Sequence, residues 1–252
     1  MRTKNVNRWG ASGLHLLISV AIAGVALAFM LLVWYPPPLF EAAGGNDLLF
    51  ILVGVDVIVG PLITLIIFRA GKPGLKFDLA AIGTLQVAAL IYGLSIVYLA
   101  RPAFIVFVKD RFEVATAVQL EPENLAQAKY EQFSRPPLGG PQLAVAEFPT
   151  DPDEHNKIVE LAVAGYDLHH FPKYWRPYEE QAKEIVAKGD TLARMRKMEP
   201  KAAEVVDEYI KESGLSEDEV RFFLLRAPRA WVAVLVDAKT AEPRKMLLYE
   251  KL

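Results

Sequence analysis

The sequence predicts a membrane α-helical domain with three transmembrane helices, residues 1–100, followed by a soluble α+β domain, residues 101–252, that ends in an antiparallel meander. The first observation is uneven charge. Of 252 residues 53% are hydrophobic and 23% charged, yet residues 1–100 carry only 6 of the 28 Lys and Arg and 4 of the 30 Asp and Glu. The second is a set of three long apolar runs within that stretch, and the third is a change of texture after Ala100 to short β-rich segments, charged helices and Pro-containing turns. A net charge of -2 excludes a basic nucleic-acid binder, and the apolar content excludes a disordered chain. With no Cys the chain has no disulfide, thiolate metal site or Cys nucleophile.

The first run, residues 13–35, contains one His and no formal charge, and exceeds the roughly 20 apolar residues that cross a bilayer. A cleavable signal peptide is the competing reading, since Arg2, Lys4 and Arg8 form a basic start and Ala26-Leu27-Ala28 resembles a cleavage site. The apolar run continues past that site through Val33, which favours a retained span. The second run, residues 48–68, contains Asp56 and Pro61; the third, residues 79–100, contains Gln86 and Tyr92. Residues 36–47 between the first two hold no Lys or Arg, whereas residues 69–78 hold Arg69, Lys72 and Lys76. The positive-inside rule then sets the N-terminus and the second loop in the cytoplasm, and an odd number of spans delivers everything after Ala100 to the opposite side. In a bacterial inner membrane that side is the periplasm, with Trp34, Tyr35 and Tyr98 at the interface.

In the second domain Phe104 to Val108 reads as a strand, residues 123–133 as a helix and residues 142–148 as a short strand. Asp153 is a candidate N-cap for a helix reaching Ala164, and Pro177 suits the first turn of a helix over residues 178–188. Ala202, Val205, Val206, Tyr209 and Ile210 form one apolar helical stripe stopped by Gly214. Residues 220–225, 230–236 and 245–250 read as the closing meander, and residues 135–141 (RPPLGGP) as a surface loop.

Asp56 is the residue that most needs a reason, because an Asp at the centre of a transmembrane helix costs about 2.5 to 3.5 kcal/mol on insertion scales. Counting about 1.5 Å per residue from the cytoplasmic ends brackets its depth between Gln86 and Tyr92. Those three are the candidate intramembrane polar contact, and Gly60 and Thr64 add small residues one turn apart for close helix packing. A bundle contact is preferred over a proton site. Asp78 lies more than ~15 Å from Asp56 in depth, too far for an aspartyl-protease pair, and reads as a cap or interface charge. His169 and His170 with His155, Asp153 and Glu154 have poor metal-ligand spacing, and His15 reads as an interfacial side chain. No G-x-S-x-G, P-loop or G-x-G-x-x-G is present. The expectation is a non-enzymatic protein without cofactor or metal.

Five ordered strings carry a family resemblance: VWYPPPLF at 33–40, DVIVGPLITLIIF at 56–68, GLKFDLAAIGTLQ at 74–86, YGLSIVYLARP at 92–102 and VKDRFEV at 108–114. Together they resemble the TfpX/TfpZ family of type IV pilin accessory proteins over roughly the first 115 residues. The matching positions are Trp34, Tyr35, Pro36, Asp56, Gly60, Pro61, Lys76, Phe77, Asp78, Gln86, Tyr92, Gly93, Arg101, Pro102, Asp110, Arg111 and Phe112. The resemblance implies a bacterial inner-membrane protein, without catalytic residues, that helps a cognate major type IV pilin to be stable or to assemble. The expected partners are that pilin and the lipid bilayer, with no nucleic acid. A membrane enzyme that modifies pilin, such as a glycosyltransferase, is the alternative, and a ligand sensor is a third reading that lacks a cytoplasmic output domain.

Overall fold

The computed structural model describes residues 7–251. The chain divides into two compact units, one formed by residues up to Leu32 together with Gly45–Leu99, the other by Val33–Gly44 together with the chain from Ala100 onward.

The first unit is helical. Helix α1, Arg8–Phe29, starts where the Asn7 side chain accepts the Gly10 N–H at 2.8 Å, and runs on into a π-helical turn, Met30–Trp34. Past a short helix of the other unit, α2 (Leu39–Ala42), come α3 (Gly45–Val53), a π-helical segment (Gly54–Val59) and α4 (Gly60–Ile67), then α5 (Leu75–Ala100). Among the described residues two helices, Arg8–Trp34 and Leu75–Ala100, are long and apolar enough to cross a membrane, not the three expected. The run at residues 48–68 is divided, and only Asp56–Ile67 stands as a shorter apolar helix. Pro61 explains the division: it has no N–H, its ring opposes the carbonyl one turn back, and the backbone answers with a wider π turn between Gly54 and Gly60. In the two long helices only 17% and 6% of the most apolar stretch is buried, unlike the core helix of a water-soluble protein.

The second unit is built on one sheet of seven strands among the described residues: β1 Pro102–Val108, β2 Arg111–Thr116, β3 Gln142–Ala146, β4 Trp175–Pro177, β5 Val220–Ala227, β6 Ala230–Asp237 and β7 Pro243–Lys251. Their order across the sheet is β4-β3-β1-β2-β5-β6-β7. The sheet is mixed. β1 pairs antiparallel with β2 but parallel with β3, and β2 joins β5 in parallel through Phe112↔Leu225 and Glu113↔Arg226. The expected C-terminal meander is therefore not a separate element: β5, β6 and β7 pair antiparallel as one end of this larger mixed sheet.

All seven residues of β1 are buried, because the strand is covered on both faces. Ile105 and Phe107 join Phe112, Val232 and Val234 on one face, while Phe104, Val106 and Val108 join Phe133, Ile158, Leu168 and Trp175 on the other. Leu192, Met195, Val206, Phe222 and Leu235 form a third cluster. Leu39 and Ala42 of α2 lie in the first cluster, and the Arg229 N–H donates to the Ala42 carbonyl at 2.9 Å. The segment Val33–Gly44 is thus part of this unit's core.

Several local expectations are corrected. The helix over residues 123–133 shrinks to α6, Pro122–Leu125, because Phe133 must reach a core position edge-on to Phe104 and Trp175. Helix α7, Pro152–Val163, is capped by Asp151 rather than Asp153, the Asp151 carboxylate accepting the N–H groups of Asp153 and Glu154. Pro177 ends β4, and α8 begins only at Ala182 (Ala182–Lys188). The hairpin strand β2 was not expected, and helix α9, Leu192–Met198, carries Arg194, Arg196 and Lys197. Helix α10, Pro200–Ser213, stops where Gly214 takes φ 68° as a left-handed cap.

Candidate functional site

In the helical unit, several polar side chains face inward. On α1 the Ser12 hydroxyl donates to the Pro61 carbonyl at 2.9 Å, and one turn later His15 Nδ1 lies 2.6 Å from Thr64 Oγ1. Gln86 of α5 donates from Nε2 to the Asp56 backbone carbonyl at 3.4 Å. A Cβ on Gly60 would stand 1.9 Å from that Nε2, so only glycine lets Gln86 reach across. The Asp56 side chain is 7% exposed, and its Oδ1 has no hydrogen-bond partner among the described residues.

The structure thus brings Gln86 to Asp56, but through the Asp56 backbone rather than its carboxyl. Tyr92 lies apart from them, 69% exposed. Pro61 and Thr64 are buried beside Gly60, Gly93 is half-buried, Lys76 and Phe77 are exposed, and Asp78 pairs with Lys72 at 2.6 Å. Sequence reasoning missed the Ser12 and His15 contacts. Their signal was the spacing of three, which sets both on one helical face opposite the small residues of α4.

In the sheet unit, Trp34 Nε1 donates to the Leu138 carbonyl at 3.1 Å, Tyr35 is fully buried, and the Pro36 carbonyl accepts the Leu39 N–H at 2.9 Å to start α2. Buried Arg101 donates from Nη2 to the Pro137 carbonyl at 2.6 Å, and Pro102 opens β1. Asp110 sits at the β1–β2 turn, where Lys109 has φ 60°. Arg111 meets Glu113 at 2.6 Å and Asp167 at 3.8 Å, and buried Phe112 packs edge-on to Phe107 and Phe223. Burial pushes the Glu113 carboxyl up, while Arg111 pulls it down.

His169 and His170 stack beside this network with ring centroids 4.0 Å apart. Burial holds His169 down to about 3, helped by the positive charges nearby, and burial also lowers His170. Both rings are therefore neutral near pH 7, with each Nδ1 buried and unpartnered among the described residues. Glu154 pairs with Lys173 at 2.5 Å and His155 packs on Phe148. No group of three or more His, Cys, Asp or Glu among the described residues is arranged to hold a metal ion. A cleft of about 550 Å³ is lined by Arg111, Lys188, Asp190, Arg194, Leu224 and Trp231 among others. Two of its carboxylates are tied to arginines, Asp190 to Arg194 at 3.1 Å and Asp110 to Arg111 at 3.5 Å.

The family model of the fimbrial assembly protein FimB matches residues 4–44, a stretch that contains α1 and the Val33–Gly44 segment. A fimbrial assembly protein of serogroup I from Dichelobacter nodosus is 32% identical over 230 residues, covering 89% of each chain. The serogroup E1 protein of the same organism is 31% identical over 230 residues, again 89% of each chain. A third, of serogroups C1 and C2, is 36% identical over 120 residues, 46% of this chain and 91% of that relative. No solved structure matches the chain. With similarity of this extent across both the helical and the sheet unit, the chain belongs to the family of fimbrial assembly proteins.

Proposed function

We propose that the chain is a non-enzymatic inner-membrane accessory protein, of the TfpX/TfpZ kind, that assists the stability or assembly of a cognate type IV pilin. Its membrane part offers that client an intramembrane groove and its soluble part a periplasmic face. The observation that carries the reading is the match to fimbrial assembly proteins over 89% of the chain, combined with a helical unit in which several polar groups point inward. A pilin waiting in the membrane presents an apolar helix. In lipid, small residues and polar contacts hold helices together where a hydrophobic drive is lacking. Gly60 and Gln86 make both kinds of contact within the helical unit itself, and Oδ1 of Asp56, unpartnered among the described residues, is the polar group left for the client.

Three crossings fit this reading despite the divided middle run. Val33–Gly44 and the chain from Ala100 onward belong to one folded unit, and a folded water-soluble unit occupies one side of a bilayer. Between Gly44 and Ala100 the chain must then cross an even number of times. Helix α5 is one crossing. The abutting segments α3, Gly54–Val59 and α4 supply the other, since 23 helical residues rise about 34 Å. Arg69, Lys72 and Lys76 then mark the cytoplasmic loop, and the sheet unit is periplasmic.

The test is co-purification from native membranes under mild detergent. A stoichiometric pilin partner is expected, captured by the Asp56→Asn variant and lost or reduced with Asp56→Leu; full-length protein that never carries pilin overturns the reading.

A further inference from the structure

The loop of residues 135–141 carries two features that pull against each other. It is stiffened by Pro136, Pro137 and Pro141, yet it holds Leu138 outward at 78% exposure. A single exposed leucine is ordinary on a protein surface, so what matters is where this loop is held.

Its attachments say what it faces. The Leu138 carbonyl accepts from Trp34, the last residue of one apolar helix, and the Pro137 carbonyl accepts from Arg101, which follows the last residue of the other. Gly140 lies so close to the chain at Val33 that a Cβ there would stand 3.1 Å from the Val33 carbonyl. The Ala117 N–H donates to the Arg101 carbonyl at 3.0 Å, which sets the next residue, Val118, at the same end of the unit, 63% exposed. Exposed Arg135 adds a guanidinium of the kind that meets lipid phosphates.

We propose that this loop, with Leu138 at its tip and Val118 at the same end of the unit, seats in the headgroup layer of the bilayer and sets the height of the soluble unit above the membrane. The proposal rests on the membrane reading above. The occupant is the lipid surface because both residues that pin the loop adjoin the ends of the apolar helices. An apolar tip flanked by a cation is the pattern of a shallow interfacial anchor.

The chain has no Cys, so single cysteines can be introduced and spin-labelled in the full-length protein without other changes. Leu138→Cys, Leu85→Cys on α5 and Lys239→Cys on an exposed turn are reconstituted without pilin into vesicles of phosphatidylethanolamine and phosphatidylglycerol. Collision rates with oxygen and with a water-soluble nickel complex are then compared. The oxygen-to-nickel ratio is expected to be several-fold higher at 138 than at 239, approaching that at 85. A ratio at 138 equal to that at 239, or a label shielded from both reagents, overturns the proposal. A water-like ratio at 85 overturns the membrane reading itself, which separates the two failures.

Discussion

The two units of this chain turn different kinds of side chain to their surfaces. In the helical unit Ser19, Asp56 and Thr64 are buried while Leu17, Val25, Ile66 and Leu85 face outward; in the sheet unit Phe107, Trp175 and Val234 are buried, and charges such as Arg196, Asp207 and Glu217 pair at the surface. The difference is what the proposed membrane reading expects of one unit built for lipid and one built for water. Water drives apolar groups inward and gives the sheet unit its core. On the membrane reading proposed above, lipid offers no such drive, so the helices meet through small residues and hydrogen bonds and leave their leucines outside. Val33–Gly44 is where the two regimes join: it follows an outward-facing apolar helix, yet contributes Leu39 and Ala42 to a water-excluding core.

The largest effect should come from that junction. Leu39→Asp buries a charge without a partner in the sheet unit's core, and the folded unit should be lost, read as protease sensitivity of the C-terminal half. Leu39→Ala should cost about 2 to 5 kcal/mol. If both variants leave the sheet unit protease-resistant, the segment is not part of its core and the comparison fails. In the helical unit Gly60→Ala drives a methyl into Gln86; overpacking of this kind costs about 1 to 3 kcal/mol. Abundance in the membrane should fall and should recover in the Gly60→Ala, Gln86→Ala double variant; no recovery would place the strain elsewhere.

A smaller effect separates the units by pH. His169 is held down to about 3 and His170 is also lowered, so the unfolded chain binds their protons first. Their contribution to stability is whole above about pH 6.5 and is lost as pH falls from there toward about 3. Glu113, raised by burial, works in the opposite sense and gains as pH falls through its folded value. The resistance of the sheet unit to urea should therefore fall with acid below about pH 6.5, and His169→Gln should flatten that slope. An unchanged slope in the variant would assign the acid sensitivity to other groups. Smallest of all, Arg196→Gln removes contacts to Asp207 and Glu217 at the surface and should shift stability by less than about 1 kcal/mol.

Apolar periodicity made α1, α5, β1, β6 and the stripe of α10 legible, and Gly214 marked the end of that last helix, because each follows from a pattern within a dozen residues. What stayed hidden depended on distant partners. Strand β2 begins with Arg111 and holds the buried Glu113, so its polar letters disguised a strand whose Arg111 pairs with Glu113 on the same strand and with the distant Asp167. The helix over residues 123–133 gave way to the demand that Phe133 reach Trp175. The polar site was half legible: Asp56, Gln86 and Gly60 stood out as anomalies in apolar runs, but depth counting also drew in Tyr92, because depth says nothing about which face of a helix a residue occupies. His15 reads as interfacial until α4 sets Thr64 2.6 Å away.

The central proposal, made above, is that the chain crosses the membrane three times, with Val33–Gly44 and the sheet unit on one side. Single cysteines at Ala70, between α4 and α5, and at Lys239, on the sheet unit, test it with a membrane-impermeant maleimide. In cells with a permeabilised outer membrane, Lys239→Cys should be labelled, whereas Ala70→Cys should stay unlabelled until the inner membrane is opened. Labelling of Ala70→Cys with the inner membrane intact would show that the run through Asp56 turns back without crossing, and would contradict the account.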